Sequence, residues 1–252
     1  MTACSNLFQL DWLRQSCANA KLVPKNLPVE QKANRLEICQ DLQERLKIEP
    51  NFLDKVITGD ESWVFDYDPE TKRQSSEWHT KSSPRPKKAR MSRSKVKTMI
   101  IVFFDSRGIV HKEFLPPGQT VNHAFYKDVS ERLRKRVQRV RTDIADDWML
   151  HHDNAPAHTA LSVRQFLAKK NIPVLPHPPY SPDLAPCDFY LFPKLKLKLK
   201  GHHFGTIGNI QQTVTDELNT LTENDFRYCY DQWKKRNRCV TSQGSYFEGD
   251  IL

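Results

Sequence analysis

The sequence of 252 residues is poor in glycine, with only 8, and none of them sits in a GxxxxGKS/T arrangement. It therefore lacks the phosphate-cradling loop of ATP-driven motors, and no GxSxG element supports a serine hydrolase. No run approaches the ~20 consecutive apolar residues of a membrane-spanning helix. The N-terminal stretch has no basic end followed by an apolar block, so the expected setting is intracellular, with no membrane partner. The 6 cysteines (Cys4, Cys17, Cys39, Cys187, Cys229 and Cys239) contain no CxxC pair. They read as reduced thiols rather than as zinc ligands or three disulfides.

Positive charge is what the sequence has in excess. Lys and Arg number 39 against 30 Asp and Glu, a formal net charge of +9. Clustered cations are rewarded by phosphates, so nucleic acid is the leading partner class. Much of the charge is concentrated in SPRPKKARMSRSKVK, from Ser83 to Lys97, whose prolines and seven Lys or Arg residues exclude a core strand or a buried helix. An exposed basic loop is expected there, with Arg85, Lys87, Lys88, Arg90, Arg93 and Lys95 as phosphate contacts. The alternatives are a solvated surface or a nuclear import signal, and a nuclear location is the corresponding expectation.

Apolar periodicity orders the rest. Leu36, Cys39, Leu42 and Leu46 make a stripe at helical spacing, with Glu and Lys on the other face. The β-branched and aromatic run Val56–Phe65 predicts a strand. Thr98–Phe104 and Ile109–Leu115 predict two more, joined by a hairpin turn at Asp105-Ser-Arg-Gly108. Phe125, Val129, Leu133, Val137 and Val140 predict a helix with a basic back at Arg132–Arg139. A short strand at Trp148–His151, a helix at Ala157–Lys170 and a strand at Ile172–Leu175 follow. The tract KLKLKLK at Lys194–Lys200 fits a strand by alternation and a helix through Leu191, Leu195 and Leu199, so periodicity leaves it open. Ile210, Val214, Leu218 and Leu221 predict a helix, and Thr222–Asp225 resembles the cap of another. Trp63, Trp148 and Trp233 are assigned to packing.

Three acids stand apart from the usual solvated ones. Asp60 lies inside a strand, Asp153 follows a strand within HHDNAPAH, and Asp188 closes PPYSPDLAPCD. Phosphodiester cleavage through two magnesium ions needs carboxylates from separate elements converging on hard cations, and this set has that form. His151, His152, His158, His202 and His203 allow a competing zinc reading, although no cysteine or HExxH spacing accompanies them. His152 is expected to pack or hydrogen-bond beside the acids.

With these blocks in view, the sequence resembles the mariner family of transposases from about Leu22 to Phe247. The resemblance rests on Thr58-Gly-Asp-Glu-Ser-Trp63, on HHDNAPAHTA at His151–Ala160, and on PHPPYSPDLAPCDFYLF at Pro176–Phe192. The 34 residues between Asp153 and Asp188 match the family's interval. The resemblance implies an α/β, ribonuclease H-like mixed sheet of three antiparallel strands plus two parallel ones, flanked by helices. It further implies that Asp60, Asp153 and Asp188 bind two Mg2+ or Mn2+ ions, and that the KLKLKLK tract is helical. By the same resemblance, DNA partners would be transposon ends and a TA target, and linker contacts make a homodimer possible.

Residues 1–28 are read as the tail of a helix-turn-helix region and a linker, and residues 29–252 as the catalytic domain. Recognition of terminal repeats is then expected to be lost or reduced, so the chain is expected not to transpose on its own. Arg236 stands where the family has a tryptophan, which predicts looser packing of the last helix. The same catalytic module also occurs in the family behind a histone methyltransferase domain, and nothing here resembles such a domain. Two functions compete at this point: metal-dependent DNA cleavage and strand transfer, or a non-enzymatic, salt-sensitive DNA-binding remnant.

Overall fold

The computed structural model describes residues 23, 25–76, 78, 80, 83–84, 87, 89–236 and 238–247. Helix α1 (Val29–Ile48) is followed by a single 3-10 turn, Phe52–Lys55, and by strand β1 (Val56–Phe65). After the basic loop come β2 (Lys97–Asp105) and β3 (Gly108–Phe114), then α2 (His123–Val140) and β4 (Met149–His151). Helices α3 (Pro156–Thr159) and α4 (Leu161–Lys169) lead to β5 (Val174–Leu175). The chain ends with α5 (Phe192–Leu199), α6 (Ile207–Asn219), α7 (Glu223–Lys234) and α8 (Arg238–Thr241). Among the described residues, no helix is long and apolar enough to cross a membrane.

One five-stranded sheet, in the order β3-β2-β1-β4-β5, organises these elements. The β1, β2 and β3 strands are antiparallel neighbours, whereas β4 runs parallel to β1 and β5 parallel to β4. This is the expected mixed α/β sheet, three strands antiparallel and two parallel. Side chains alternate across it, because successive residues of a strand point to opposite faces. Val56, Val64, Ile100, Val102 and Phe104 pack with α5, α6 and α7, while Ile57, Ile101 and Phe103 pack with α2 and α4. The sheet is thus apolar on both faces and covered on both.

Local chemistry explains several boundaries. Asp105 closes the β2–β3 hairpin, since its Oδ1 accepts the N–H groups of Arg107 and Gly108 at 2.9 and 3.0 Å. The Thr222–Asp225 capping box opens α7, as its sequence suggests. The segment Ala157–Lys170 is not one helix, because the extended backbone of Ala160 divides α3 from α4. The expected strand at Ile172–Leu175 shrinks to its last two residues.

The KLKLKLK tract resolves as helix α5, which buries Leu195 and Leu199. Pro193 has no N–H to donate inside a continuous helix. The chain accommodates it with a wide π-turn over Cys187–Leu191, in which Phe192 N–H bonds the carbonyl of Cys187. That wide turn carries Asp188.

Gly59 has a steric reason to be glycine, since a Cβ there would lie 2.1 Å from Cδ1 of the buried Phe103 ring. The ring is held by the core around α2. Gly59→Ala is therefore expected to cost about 1–3 kcal/mol of stability, the usual penalty of overpacking, as read by denaturant unfolding.

Candidate active site

Parallel pairing brings the first two acids together. Thr58 on β1 is opposite His151 on β4, so Asp60 and Asp153 each lie two residues beyond that pair at the same end of the sheet. β5 is in register through Leu175 opposite His151, and the proline-rich return from β5 delivers Asp188 on the π-turn. Asp60 feels the charge of both Asp188 and Asp153, and Asp188 feels that of Asp153.

Burial and these mutual charges set their protonation. The Asp60 carboxyl is pushed well above the ordinary carboxylate range, first by burial and then by Asp188 and Glu61. Asp188 is pushed up to about 6, by crowding from surrounding protein and then by Asp153. Asp188 is exposed, so the acids are open to water rather than sealed. Lys196, from the KLKLKLK tract, faces both Asp188 and Asp60; burial lowers its pKa and the acids oppose that effect.

Asp153 behaves differently because it has a partner. Its Oδ1 accepts Ala155 N–H at 2.9 Å and lies 2.7 Å from Nδ1 of His158, a close ionic contact off the line of an ideal hydrogen bond. Nε2 of the same ring is 3.2 Å from Oε1 of Glu61. Burial alone would make His158 less basic, but the two carboxylates outweigh it and favour the imidazolium. Burial would likewise raise the pKa of Asp153, yet His158 and Ala155 N–H hold it below the ordinary carboxylate range.

Neutral histidines line the floor. Thr58 Oγ1 and His151 Nδ1 share a hydrogen bond of 2.9 Å, and His151 Nε2 meets His177 Nδ1 at 3.2 Å. Burial, with neighbouring histidines, holds His151 well below its usual pKa, and burial brings His177 down to about 4. His152, brought down to about 3 by burial and His158, bonds Tyr126 Oη at 2.8 Å and takes the position beside the acids that its sequence context suggests.

Three expectations need revision. Trp148 and Trp233 are buried, but Trp63 is 37% exposed, with Lys97 Nζ 4.1 Å from its ring centroid. Trp63 lies near the end of β1 and belongs to neither of the two core clusters that cover the sheet. Arg236 does not leave a hole where an aromatic was expected. Its guanidinium stacks 3.8 Å from the Phe189 ring centroid and donates to the carbonyl of Asp183 at 2.7 Å. Thirdly, much of the basic back of α2 is neutralised locally, with Arg132 paired to Glu113 and Arg134 to Glu131.

In the basic loop, Lys87, Arg90, Arg93 and Lys95 are exposed, and Arg93 is tied to Asp68 at 2.9 Å. Arg85 and Lys88 lie outside the described residues.

Sequence reasoning left Glu61 and His158 without a role beside the acids. Strand alternation was the available signal: Asp60 and Glu61 must face opposite sides of β1, toward the π-turn and toward α3 respectively.

All-oxygen donors suit a hard divalent cation. Asp60 accepts Glu61 N–H through Oδ1 at 2.8 Å, and Asp153 is tied through Oδ1 alone. The second oxygen of each has no hydrogen-bond partner among the described residues, and the crowded charges call for a cation. Among the same residues no three His, Cys, Asp or Glu side chains already close around one ion position.

Comparison with known proteins gives concordant results. A family model described as Transposase (partial DDE domain) matches residues 68–146. The chain is 34% identical over 234 residues to the Mariner Mos1 transposase of Drosophila mauritiana, covering 90% of this chain and 66% of that protein. It thus spans slightly less than two thirds of that relative's length. The crystal structure of the catalytic domain of Mos1 mariner transposase superposes with a TM-score of 0.75 at 32% identity, covering 90% of this chain and all of that one. The Mos1 mariner paired end complex with Mn superposes with a TM-score of 0.85 at 33% identity, covering 95% and 70% of the two chains, and a counterpart was solved with Mg. The sheet and its helices are the ribonuclease H-like fold of that catalytic domain, and the chain belongs to the mariner family of transposases.

Proposed function

We propose that this chain cleaves DNA and transfers the resulting strands, using divalent cations held by Asp60, Asp153 and Asp188. The observation that carries the proposal is the β1–β4 register, which sets Asp60 on β1 and Asp153 just past β4 at the same end of the sheet, with a third carboxylate on the π-turn acting on Asp60. Asp60, Asp153 and Asp188 would together hold two Mg2+ or Mn2+ ions. Such ions make a water or a 3′ hydroxyl a better nucleophile and stabilise the departing oxygen.

The protein's own residues do the rest. Asp153 and Asp60 present one free oxygen each, and the neutral His151, His152 and His177 pack the floor without adding charge. Lys196, facing Asp188 and Asp60, is placed to meet a phosphate. Exposed Lys87, Arg90, Arg93 and Lys95 would hold the DNA backbone, making affinity fall steeply with salt. Transposon ends and a TA target are the substrates proposed by kinship, a homodimer the proposed assembly and the nucleus the proposed location. Residues 29–252 would be the catalytic domain.

Nicking of supercoiled plasmid in Mn2+ or Mg2+ tests the proposal. The intact chain should nick, Asp153→Ala should not, and both should bind DNA with similar salt sensitivity. Equal nicking by the two proteins would remove the acids from the chemistry. DNA binding with no nicking by either would favour the alternative, a non-enzymatic DNA-binding remnant.

A further inference from the structure

His158 is almost fully buried, with 1% of its side chain exposed, yet both its ring nitrogens touch carboxylates. Nδ1 meets Asp153 at 2.7 Å and Nε2 meets Glu61 at 3.2 Å. The ring is fixed by stacking: its centroid lies 3.9 Å from that of Tyr126 and 5.1 Å from that of His152. Tyr126 comes from the core face of α2 and is itself 1% exposed, so the wall behind His158 is rigid. Burying a polar ring in this way is costly unless its nitrogens find partners. Here Nε2 hydrogen-bonds Glu61, and Nδ1, which makes no well-aligned hydrogen bond, has the Asp153 carboxylate in ionic contact.

The consequence falls on Asp153. Asp153 follows β4 in an irregular stretch, where no strand pairing fixes its direction. His158 and Ala155 N–H both take Oδ1, which sets the plane of the carboxylate and leaves Oδ2 directed away from them. Glu61 holds the far edge of the ring from the opposite face of β1 to Asp60, so the same strand carries Asp60 and the anchor of the clamp.

We infer that His158, anchored by Glu61 and Tyr126, is a positioning residue that orients Asp153 for divalent-cation binding. The inference rests on the proposed role of Asp153 as a metal ligand. Groups that orient ligands in this way commonly change metal affinity by about 10–100-fold when removed.

Mn2+ titrated into the full-length chain, with free ion followed by electron paramagnetic resonance, reads the effect without any turnover. His158→Ala should weaken Mn2+ binding about 10–100-fold. Two further variants separate positioning from folding, since an asparagine amide can reproduce a donor near Nδ1 and a glutamine amide one near Nε2. His158→Asn should recover binding to within a few-fold of wild type, roughly, because it restores the contact to Asp153. His158→Gln, restoring only the contact to Glu61, should bind as weakly as His158→Ala. Wild-type affinity in His158→Ala, or equal affinity in the Asn and Gln variants, would overturn the inference while Asp153→Asn still loses Mn2+. Undiminished Mn2+ binding by Asp153→Asn would instead overturn the metal role of Asp153, and the clamp with it.

Discussion

Asp60→Asn is expected to abolish DNA nicking while making the metal-free protein more resistant to heat. Loss of activity should exceed the ~100-fold upper range for removing a group that only orients a ligand, because Asp60 would itself be a metal ligand. The gain in stability follows from the direction of its pKa. Burial and Asp188 raise the Asp60 carboxyl well above its unfolded value, so ionising it opposes folding. A raised acid binds its proton more tightly in the folded state, and stability is lost as pH rises above ~4, the unfolded pKa. The melting temperature of Asp60→Asn should therefore gain on wild type as pH is raised from about 4 toward neutrality. A parallel pair of melting curves across that range would contradict the electrostatic account of the site.

Arg35→Leu is expected to cost about 3–5 kcal/mol, the penalty for stranding one charge of a buried pair. The Arg35 guanidinium is fully buried and forms a two-pronged pair with Asp183, Nη1 to Oδ1 at 2.8 Å and Nη2 to Oδ2 at 2.6 Å. Its Nε donates to the carbonyl of Gly244 at 2.8 Å, and its guanidinium lies 4.8 Å from the Tyr246 ring centroid. One side chain thus joins α1, the proline-rich return that delivers Asp188, and the C-terminal segment. Gly244 allows this approach, with φ of +75° and only 2.0 Å between a would-be Cβ and the carbonyl oxygen of Lys32. At roughly 2–4 °C per kcal/mol for a domain of this size, the melting temperature should fall by roughly 6–20 °C. Arg35→Leu combined with Asp183→Leu should recover much of that loss, since no charge is then left unpaired. A fall in the single mutant within about 0.5 kcal/mol, the range of ordinary surface substitutions, would show that the pair does not hold these segments together.

These two residues also show what was legible in the sequence. Asp60 stood out because it sits between Gly59 and Glu61 with apolar residues on both sides of that stretch, and Asp153 and Asp188 stood out by their settings in HHDNAPAH and PPYSPDLAPCD. The strands and the hairpin turn could be read from β-branched and aromatic runs and from Asp105-Ser-Arg-Gly108, whereas the mixed sheet was implied only by the family resemblance. Arg35 was hidden, because although it lies on the side of α1 that carries Cys39 and Leu42, a lone arginine at the edge of an apolar stripe looks solvated. Its burial depends on Asp183 and Gly244, 148 and 209 residues away, and local periodicity carries no trace of such pairing.

The same limit applies nearer the acids. Glu61 and His158 were visible as residue types, yet their connection exists only once β1 and α3 are side by side. Trp63 has the composition of a core anchor, yet it belongs to neither of the core clusters that cover the sheet. Arg236, expected to loosen the packing of the last helix, instead stacks on Phe189 and donates to the carbonyl of Asp183. Type of side chain was a poor guide there, and flat shape a better one.

Crystals of the full chain soaked in Mn2+ and measured for anomalous scattering offer the most direct test that the three carboxylates form a two-metal site. Two peaks are predicted, about 3.5–4 Å apart, both among Asp60, Asp153 and Asp188. Occupied sites elsewhere, with these three carboxylates bare at saturating Mn2+, would contradict it.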